Sequence, residues 1–122
     1  MRIMVVDDEQ DVQLLFRQQF RREIKNNQIQ LDFVFSAEEA LQSLQRKLTD
    51  CIALILADIN MPGMNGLEML KIIKTTFPNL KVFIVTAYDD EHNYLTAREY
   101  GADDYITKPI EFKNLKEKIL NL

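Results

Sequence analysis

The chain has 122 residues, one cysteine and a formal net charge of −4, which suits a single domain with one hydrophobic core. The acidic balance argues against nucleic acid as a direct ligand, because a phosphate backbone selects for clustered Lys and Arg. The lone Cys51 excludes an internal disulfide and fits a reducing compartment. No apolar run approaches the roughly 18 residues of a membrane span, and no signal-peptide pattern is present. We therefore expect a soluble, cytoplasmic protein with no membrane partner.

Short apolar runs separated by helix-length segments predict alternating strands and helices. Residues 3–6 (IMVV) predict the first strand, and apolar positions every three or four residues predict one helix over 9–25. Alternating apolar residues predict a second strand at 30–35. Ser36 is then a candidate N-cap, and Glu39 completes a capping box. The helix that follows has its apolar positions at Ala40, Leu41, Leu44 and Leu48.

The second half of the chain continues the same alternation. The remaining predicted elements are a strand at 53–57, a helix that Gly66 precedes and Pro78 ends, a strand at 82–85, a helix from Asp89 or Asp90 to Tyr100, a strand at 105–107 and a helix at 111–121. Gly101 matches the C′ residue that ends a helix. Strict alternation with right-handed crossovers predicts an α/β fold with a parallel sheet covered on both faces. Periodicity alone leaves the strand order open.

Reactive polar residues follow the ends of the apolar strands. Asp7 and Asp8 follow the first strand, Asp58 ends the third, Thr86 the fourth, and Lys108 comes after the fifth. In isolation, the acidic pair would be read as a solvated helix start. Ligands of parallel sheets, however, bind outside the carboxyl ends of the strands.

Three carboxylates at that edge would repel one another if the first and third strands are neighbours. Such crowding raises pKa values or requires a cation. Mg²⁺ is a hard ion that prefers oxygen ligands, and it commonly uses one or two carboxylates with water and phosphate. The pattern therefore predicts a divalent-cation site. Cys51 and His92 lack the spaced partners of a zinc site.

Four motifs in register resemble the receiver domain of two-component response regulators. They are Asp7-Asp8, residues 58–66 (DINMPGMNG), Thr86-Ala87 and residues 101–109 (GADDYITKP). The resemblance extends from the first strand to the last helix and implies one receiver domain over residues 1–122. It also implies a five-stranded, doubly wound, flavodoxin-like (βα)5 fold with strand order 2-1-3-4-5.

The resemblance implies a role for each residue of the acidic site. Asp58 corresponds to the phosphoacceptor, a carboxylate nucleophile that attacks phosphorus. The side chains of Asp8 and Asp58 and the backbone carbonyl of Asn60 correspond to Mg²⁺ ligands, with Mn²⁺ as an alternative ion. Asp7 would hold a metal-bound water. Lys108 would neutralise charge on the transferred phosphoryl group together with the metal.

The resemblance also implies a switch and a pair of modulating positions. Thr86 would bond a phosphoryl oxygen, and Tyr105 matches an aromatic residue that changes rotamer as Thr86 moves. Asn60 and Tyr88 would flank the path of the attacking water, where Asn60 orients water and Tyr88 shields the site. Structural alternatives stay open, because Thr86 also suits a strand end, Tyr105 a core position, and Tyr88 a solvent-facing one.

The function implied is a phosphorylation-dependent signalling switch, not an enzyme with a separate substrate. The phosphoryl group would come from a histidine kinase or phosphotransfer protein. Output would pass to a downstream protein through the fourth helix, fifth strand and fifth helix, a face that includes Arg98, Tyr105, Lys113 and Lys116. The residues do not separate a stand-alone regulator from one domain of a longer protein.

Three other readings fit the sequence less well. A phosphohydrolase with an aspartyl-phosphate intermediate would normally carry a second acid where Asn60 stands. A flavodoxin-like electron carrier needs a Ser/Thr/Gly-rich phosphate loop where Asp7, Asp8 and Glu9 would repel a phosphate. A pseudo-receiver that binds partners without phosphorylation is disfavoured, because every required residue is present.

Overall fold

The computed structural model of the chain describes residues 1–46, 52–87 and 90–122. The predicted positions Leu48, Cys51, Tyr88 and Asp89 lie outside these ranges. The described elements are β1 Arg2–Val6, α1 Gln10–Gln19, α2 Arg21–Lys25, β2 Gln30–Val34, α3 Ala37–Gln45, β3 Ile52–Asp58, α4 Gly66–Thr76, β4 Lys81–Thr86, α5 Glu91–Glu99, β5 Asp104–Thr107 and α6 Phe112–Leu120. The predicted alternation of strands and helices is confirmed.

The five strands form one sheet in the order β2-β1-β3-β4-β5, and every neighbouring pair is parallel. The predicted α/β fold and strand order are confirmed. Val6 of β1 lies opposite Ala57 of β3, so Asp7 and Asp58 follow at adjacent strand ends. The parallel pairing of β1 with β3 thus brings the two carboxylates together.

Helices cover both faces of the sheet, which explains why the central strands are almost continuously apolar. One face of β1 and β3, including Ile3 and Leu56, packs against Phe16 of α1 and Leu115 of α6. The opposite face packs against α3, α4 and α5, and its buried residues include Met4, Val6, Ile55, Ala57, Ala40, Leu70 and Ala97. This two-sided burial fixes the strands that carry the acidic residues.

The single helix predicted over residues 9–25 is wrong, because the segment forms two helices separated at Phe20. Phe20 leaves helical geometry, with φ −102° and ψ 14°, although its N–H still bonds to Phe16 O. Its ring is fully buried and packs against the rings of Phe16 and Phe112, with centroids 5.9 and 6.1 Å away. The break therefore coincides with an aromatic contact between α1 and α6.

The predicted helix caps are largely confirmed. Ser36 Oγ accepts the Glu39 N–H at 3.0 Å, and the Glu39 carboxylate accepts the Phe35 N–H at 3.2 Å. Asp90 caps α5, and Gly101 follows that helix with φ +93°. At α4 the cap lies one residue earlier than Gly66, which is the first residue of the helix.

Candidate functional site

Asp58 is a buried carboxylate with a lysine partner. It is 3% exposed at the end of β3, and Lys108 Nζ donates to its Oδ2 at 2.7 Å. The Lys108 backbone N–H donates to Thr86 O at 2.7 Å, which ties the residue to the end of β4. The Lys108–Pro109 peptide bond is cis. The ammonium is therefore fixed beside Asp58 through both its side chain and its backbone.

The loop after Asp58 folds back closely on that residue. Asp58 Oδ1 accepts the Asn60 N–H at 3.0 Å, and the Ile59 N–H donates to Val85 O at 3.1 Å. The Gly66 N–H closes the loop by donating to Ile59 O at 3.1 Å. A Cβ at Gly66 would lie 2.3 Å from the main-chain oxygen of Asp58, so only glycine fits here.

Asp7 is the second buried carboxylate of the site. It is 8% exposed, and its Oδ1 accepts the Glu9 N–H at 2.9 Å. Burial raises the pKa of Asp7 to about 6, against the opposing effect of the Glu9 N–H, and the nearby Asp58 adds to the rise. Asp8, the next residue, is exposed. The two members of the acidic pair therefore occupy different environments.

The surrounding carboxylates raise the pKa of the Lys108 ammonium. Partial burial disfavours its charge, but the bond to Asp58 and the charges of Asp58, Asp7 and Glu9 outweigh this and raise the pKa of the ammonium. The lysine is therefore held in its charged form. Two buried carboxylates share this one ammonium, which leaves the site with an excess of negative charge.

Thr86 and Tyr105 are joined through one residue at the start of α5. Thr86 is fully buried, and its hydroxyl donates to the Asp90 carboxylate at 3.5 Å. The Tyr105 hydroxyl donates to the Asp90 main-chain oxygen at 3.1 Å. The Tyr105 ring also packs edge-on against Tyr94, with centroids 4.7 Å apart, and burial raises the pKa of its phenol.

The donor set of the site fits a hard divalent cation. Within residues 1–46, 52–87 and 90–122, no three acidic, His or Cys side chains form a preformed metal-binding group. The carboxylates of Asp7, Asp8 and Asp58, together with main-chain oxygens of the loop after Asp58, are nevertheless oxygen groups that suit Mg²⁺, either directly or through water. Burial, with a smaller contribution from the neighbouring Asp58, raises the pKa of Asp7, and a bound cation would favour the ionised form of this carboxyl.

The structure thus brings Asp7, Asp58, Thr86 and Lys108 to one edge of the sheet, as predicted. Tyr88 lies outside the described residues, so its predicted shielding role stays a prediction.

Asp90 has contacts that the sequence does not indicate. Its sequence position predicts only a helix start, whereas in the structure it bonds to Thr86 and Tyr105. The capping pattern identified the residue, but its contacts with β4 and β5 depend on tertiary packing. Among the described residues, no helix is long and apolar enough to cross a membrane.

Fold and site together define a doubly wound α/β domain with a buried, lysine-paired aspartate at the carboxyl edge of its sheet. Residues 3–120 match the family model of the response regulator receiver domain, and the chain belongs to that family. Receiver domains are phosphorelay signalling domains of two-component systems and differ in this from classical enzymes. Receiver domains interact with histidine kinases or phosphotransfer proteins.

Individual relatives agree with this assignment. The response regulator MprA of Mycobacterium leprae is 31% identical over 98% of this chain and 49% of its own length. Sporulation initiation phosphotransferase F of Bacillus subtilis is 29% identical over 97% of this chain and 90% of its own length. A solved receiver domain protein from Methanospirillum hungatei JF-1 superposes with a TM-score of 0.84 at 30% identity, covering 98% and 90% of the two chains. The chain spans half or less of the length of several curated relatives.

Proposed function

We propose that residues 1–122 form one receiver domain that accepts a phosphoryl group on Asp58 and thereby changes an output surface. The observation that carries this proposal is the 2.7 Å contact of Lys108 Nζ with the buried Asp58, beside a second buried carboxylate. A buried carboxylate next to a fixed ammonium can act as a nucleophile toward an anionic donor, because the ammonium offsets the donor's charge. We place this switch in the cytoplasm.

Asp58 would attack phosphorus through a carboxylate oxygen. An O–P bond forms as the P–N bond of a phosphohistidine donor breaks, and the imidazole leaves. Lys108 would move its contact from Asp58 to a phosphoryl oxygen and so stay paired throughout. The same residue chemistry allows a small donor such as acetyl phosphate, whose leaving group is acetate.

The oxygen donors near Asp58 would hold the Mg²⁺ ion that this transfer requires, and Mn²⁺ has the same preference for oxygen. We assign the side chains of Asp8 and Asp58 and the carbonyl of Asn60 as ligands, with Asp7 holding a metal-bound water. The bound ion would neutralise charge on the phosphoryl oxygens. Asn60 and Tyr88 would modulate hydrolysis, by orienting and by excluding water.

Thr86 and Tyr105 would transmit the change. The Thr86 hydroxyl is bonded to Asp90 in this structure, so it must leave that carboxylate before it can donate to a phosphoryl oxygen. Asp90 also caps α5 and accepts the Tyr105 hydroxyl. Movement of Thr86 would therefore alter the start of α5 and the environment of Tyr105 together.

The proposed output face is the surface formed by α5, β5 and α6. These elements are the fourth helix, fifth strand and fifth helix of the sequence-based prediction, because the first predicted helix is divided into α1 and α2. Leu95 and Tyr94 of α5 are exposed there, and a cavity of about 220 Å³ lies beside Arg98 and Tyr105. Lys116 belongs to the proposed face, and its ammonium bonds to Glu23 of α2 at 3.0 Å. A downstream protein would bind to this face, and no direct nucleic-acid contact is proposed.

Phosphorylation with a small donor tests the proposal directly. We expect acetyl phosphate to add one phosphoryl group to the protein when Mg²⁺ or Mn²⁺ is present, measured by intact-protein mass spectrometry. Asp58→Asn should abolish the addition, and Asp11→Asn, which changes an exposed carboxylate of α1, should leave it unchanged. Incorporation that persists in Asp58→Asn, or in EDTA, would refute the assignment.

A further inference from the structure

The loop that follows Asp58 has a second support, which comes from a different helix. Glu38 lies in the first turn of α3, and its Oε1 accepts the Met64 N–H at 2.9 Å, across 26 residues of sequence. Gly63 lies directly against the same carboxylate, because a Cβ added there would be 3.2 Å from Glu38 Oε1. Gly63 has φ +77°, a conformation that favours glycine. The carboxylate thus contacts the outer part of the loop at two consecutive residues.

The side chain of Glu38 is exposed, but its backbone is held in place by the helix. Ser36 caps α3, and the flanking Ala37 and Ala40 are fully buried against the core. The base of the loop is closed by the Gly66 N–H bond to Ile59 O. The loop over residues 60–65 is therefore bonded both at its base and, through Met64, to α3.

We infer that Glu38 is a positioning residue of the cation site, which holds the loop so that the Asn60 carbonyl is presented beside Asp58. This inference rests on the proposed function, because it assumes that the loop contributes a ligand to Mg²⁺. The role is mechanical. Glu38 acts through the Met64 N–H and does not touch the cation or the phosphoryl group.

Three variants separate this role from a general effect of charge. Glu38→Gln removes the charge and keeps an oxygen that accepts the Met64 N–H, whereas Glu38→Ala removes both. Glu39→Gln is the matched control, since it neutralises the adjacent carboxylate of the same helix turn without touching the loop. Loss of one hydrogen bond to a loop predicts about three- to tenfold weaker Mg²⁺ binding in Glu38→Ala, and about twofold or less in the two Gln variants.

Three quantities are measured for each variant. They are the Mg²⁺ affinity by isothermal titration, the protection of the Met64 amide from hydrogen exchange, and the rate of phosphorylation by acetyl phosphate. We expect Glu38→Ala to lose affinity and Met64 protection, and to recover a rate within about twofold of wild type at saturating Mg²⁺. Equal losses in Glu38→Gln and Glu38→Ala would overturn the inference, because charge would then be responsible. Unchanged affinity in Glu38→Ala would also overturn it. A wild-type protein that binds no Mg²⁺ would instead overturn the proposed function.

Discussion

Replacing Asp7 by Asn is predicted to stabilise the metal-free protein at neutral pH. Burial raises the pKa of Asp7 to about 6, whereas an Asp in an unfolded chain titrates at about 3.9. The folded state therefore binds this proton more tightly than the unfolded state. The stability linked to that proton is fully present below about pH 4 and is lost as the pH rises through about 6. Asn is neutral, and its amide oxygen can still accept the Glu9 N–H.

The size of the effect follows from the pKa shift. A rise from 3.8 to about 6 corresponds to about 3 kcal/mol at 1.36 kcal/mol per pKa unit. Solvent and salt reach this strand end and screen part of the interaction, so we expect a gain of about 1 to 3 kcal/mol. In a domain of this size, that gain raises the melting temperature by about 3 to 12 °C.

Urea unfolding in EDTA measures this difference. The gap between wild type and Asp7→Asn should be largest at about pH 7.5 and should shrink at about pH 4.5, where wild-type Asp7 is mostly protonated in the folded state. Asp11→Asn is the control for net charge, and it should lose up to about 1 kcal/mol by weakening the helix-dipole interaction of α1. An unfolding midpoint for Asp7→Asn that is unchanged or lower at about pH 7.5 would refute the reasoning.

Two further substitutions test the close packing and the ion pair around Asp58. Gly66→Ala should lower the free energy of unfolding by about 1 to 3 kcal/mol and slow phosphorylation. The reason is that the new Cβ would lie 2.3 Å from Asp58 O, so the backbone must move. A Gly66→Ala variant as stable in urea as the wild type would contradict this geometry. Lys108→Ala should destabilise the metal-free protein by about 1 to 3 kcal/mol, because it leaves the buried Asp58 carboxylate unpaired, and added Mg²⁺ should restore part of the loss. Thermal melts with and without Mg²⁺ measure this, and a melting temperature insensitive to Lys108→Ala would show that the pair contributes nothing.

Most elements of the fold were predictable because the central strands β1, β3 and β4 are buried on both faces. That burial makes residues 3–6 and 53–57 continuously apolar, and the short length of these runs between helix-length segments favours strands over helices. The order of the strands was not predictable from periodicity, because a strand's own residues do not indicate its neighbours. It came from the resemblance of the motifs. The break at Phe20 was missed, since the spacing of apolar residues continues through it, and the break coincides with a contact to Phe112 of a helix distant in sequence.

The residues of the candidate site were predictable from the sequence, but the burial of Asp7 and the exposure of Asp8 were not. The sequence placed Asp7 and Asp8 together at a strand end, and successive side chains of an extended segment point to opposite sides. Which of the two becomes buried depends on how α1 covers the edge of the sheet, and that is a tertiary property. The contact of Thr86 with Asp90 is of the same kind, because it depends on the packing of α5 against β4 and not on either residue's neighbours in sequence.

The buried charge on Asp7 connects stability with cation binding. In the metal-free protein, burial disfavours the ionised form of Asp7, and the neighbouring Asp58 adds to this effect. A bound divalent cation would favour the ionised carboxylate, so we expect part of the free energy lost in the metal-free fold to reappear as affinity for the cation. Asp7→Asn should therefore raise stability in EDTA and lower the additional stability gained from Mg²⁺. The site would hold an unfavourable charge in the resting protein because its function requires the cation, as is common where stability and activity compete.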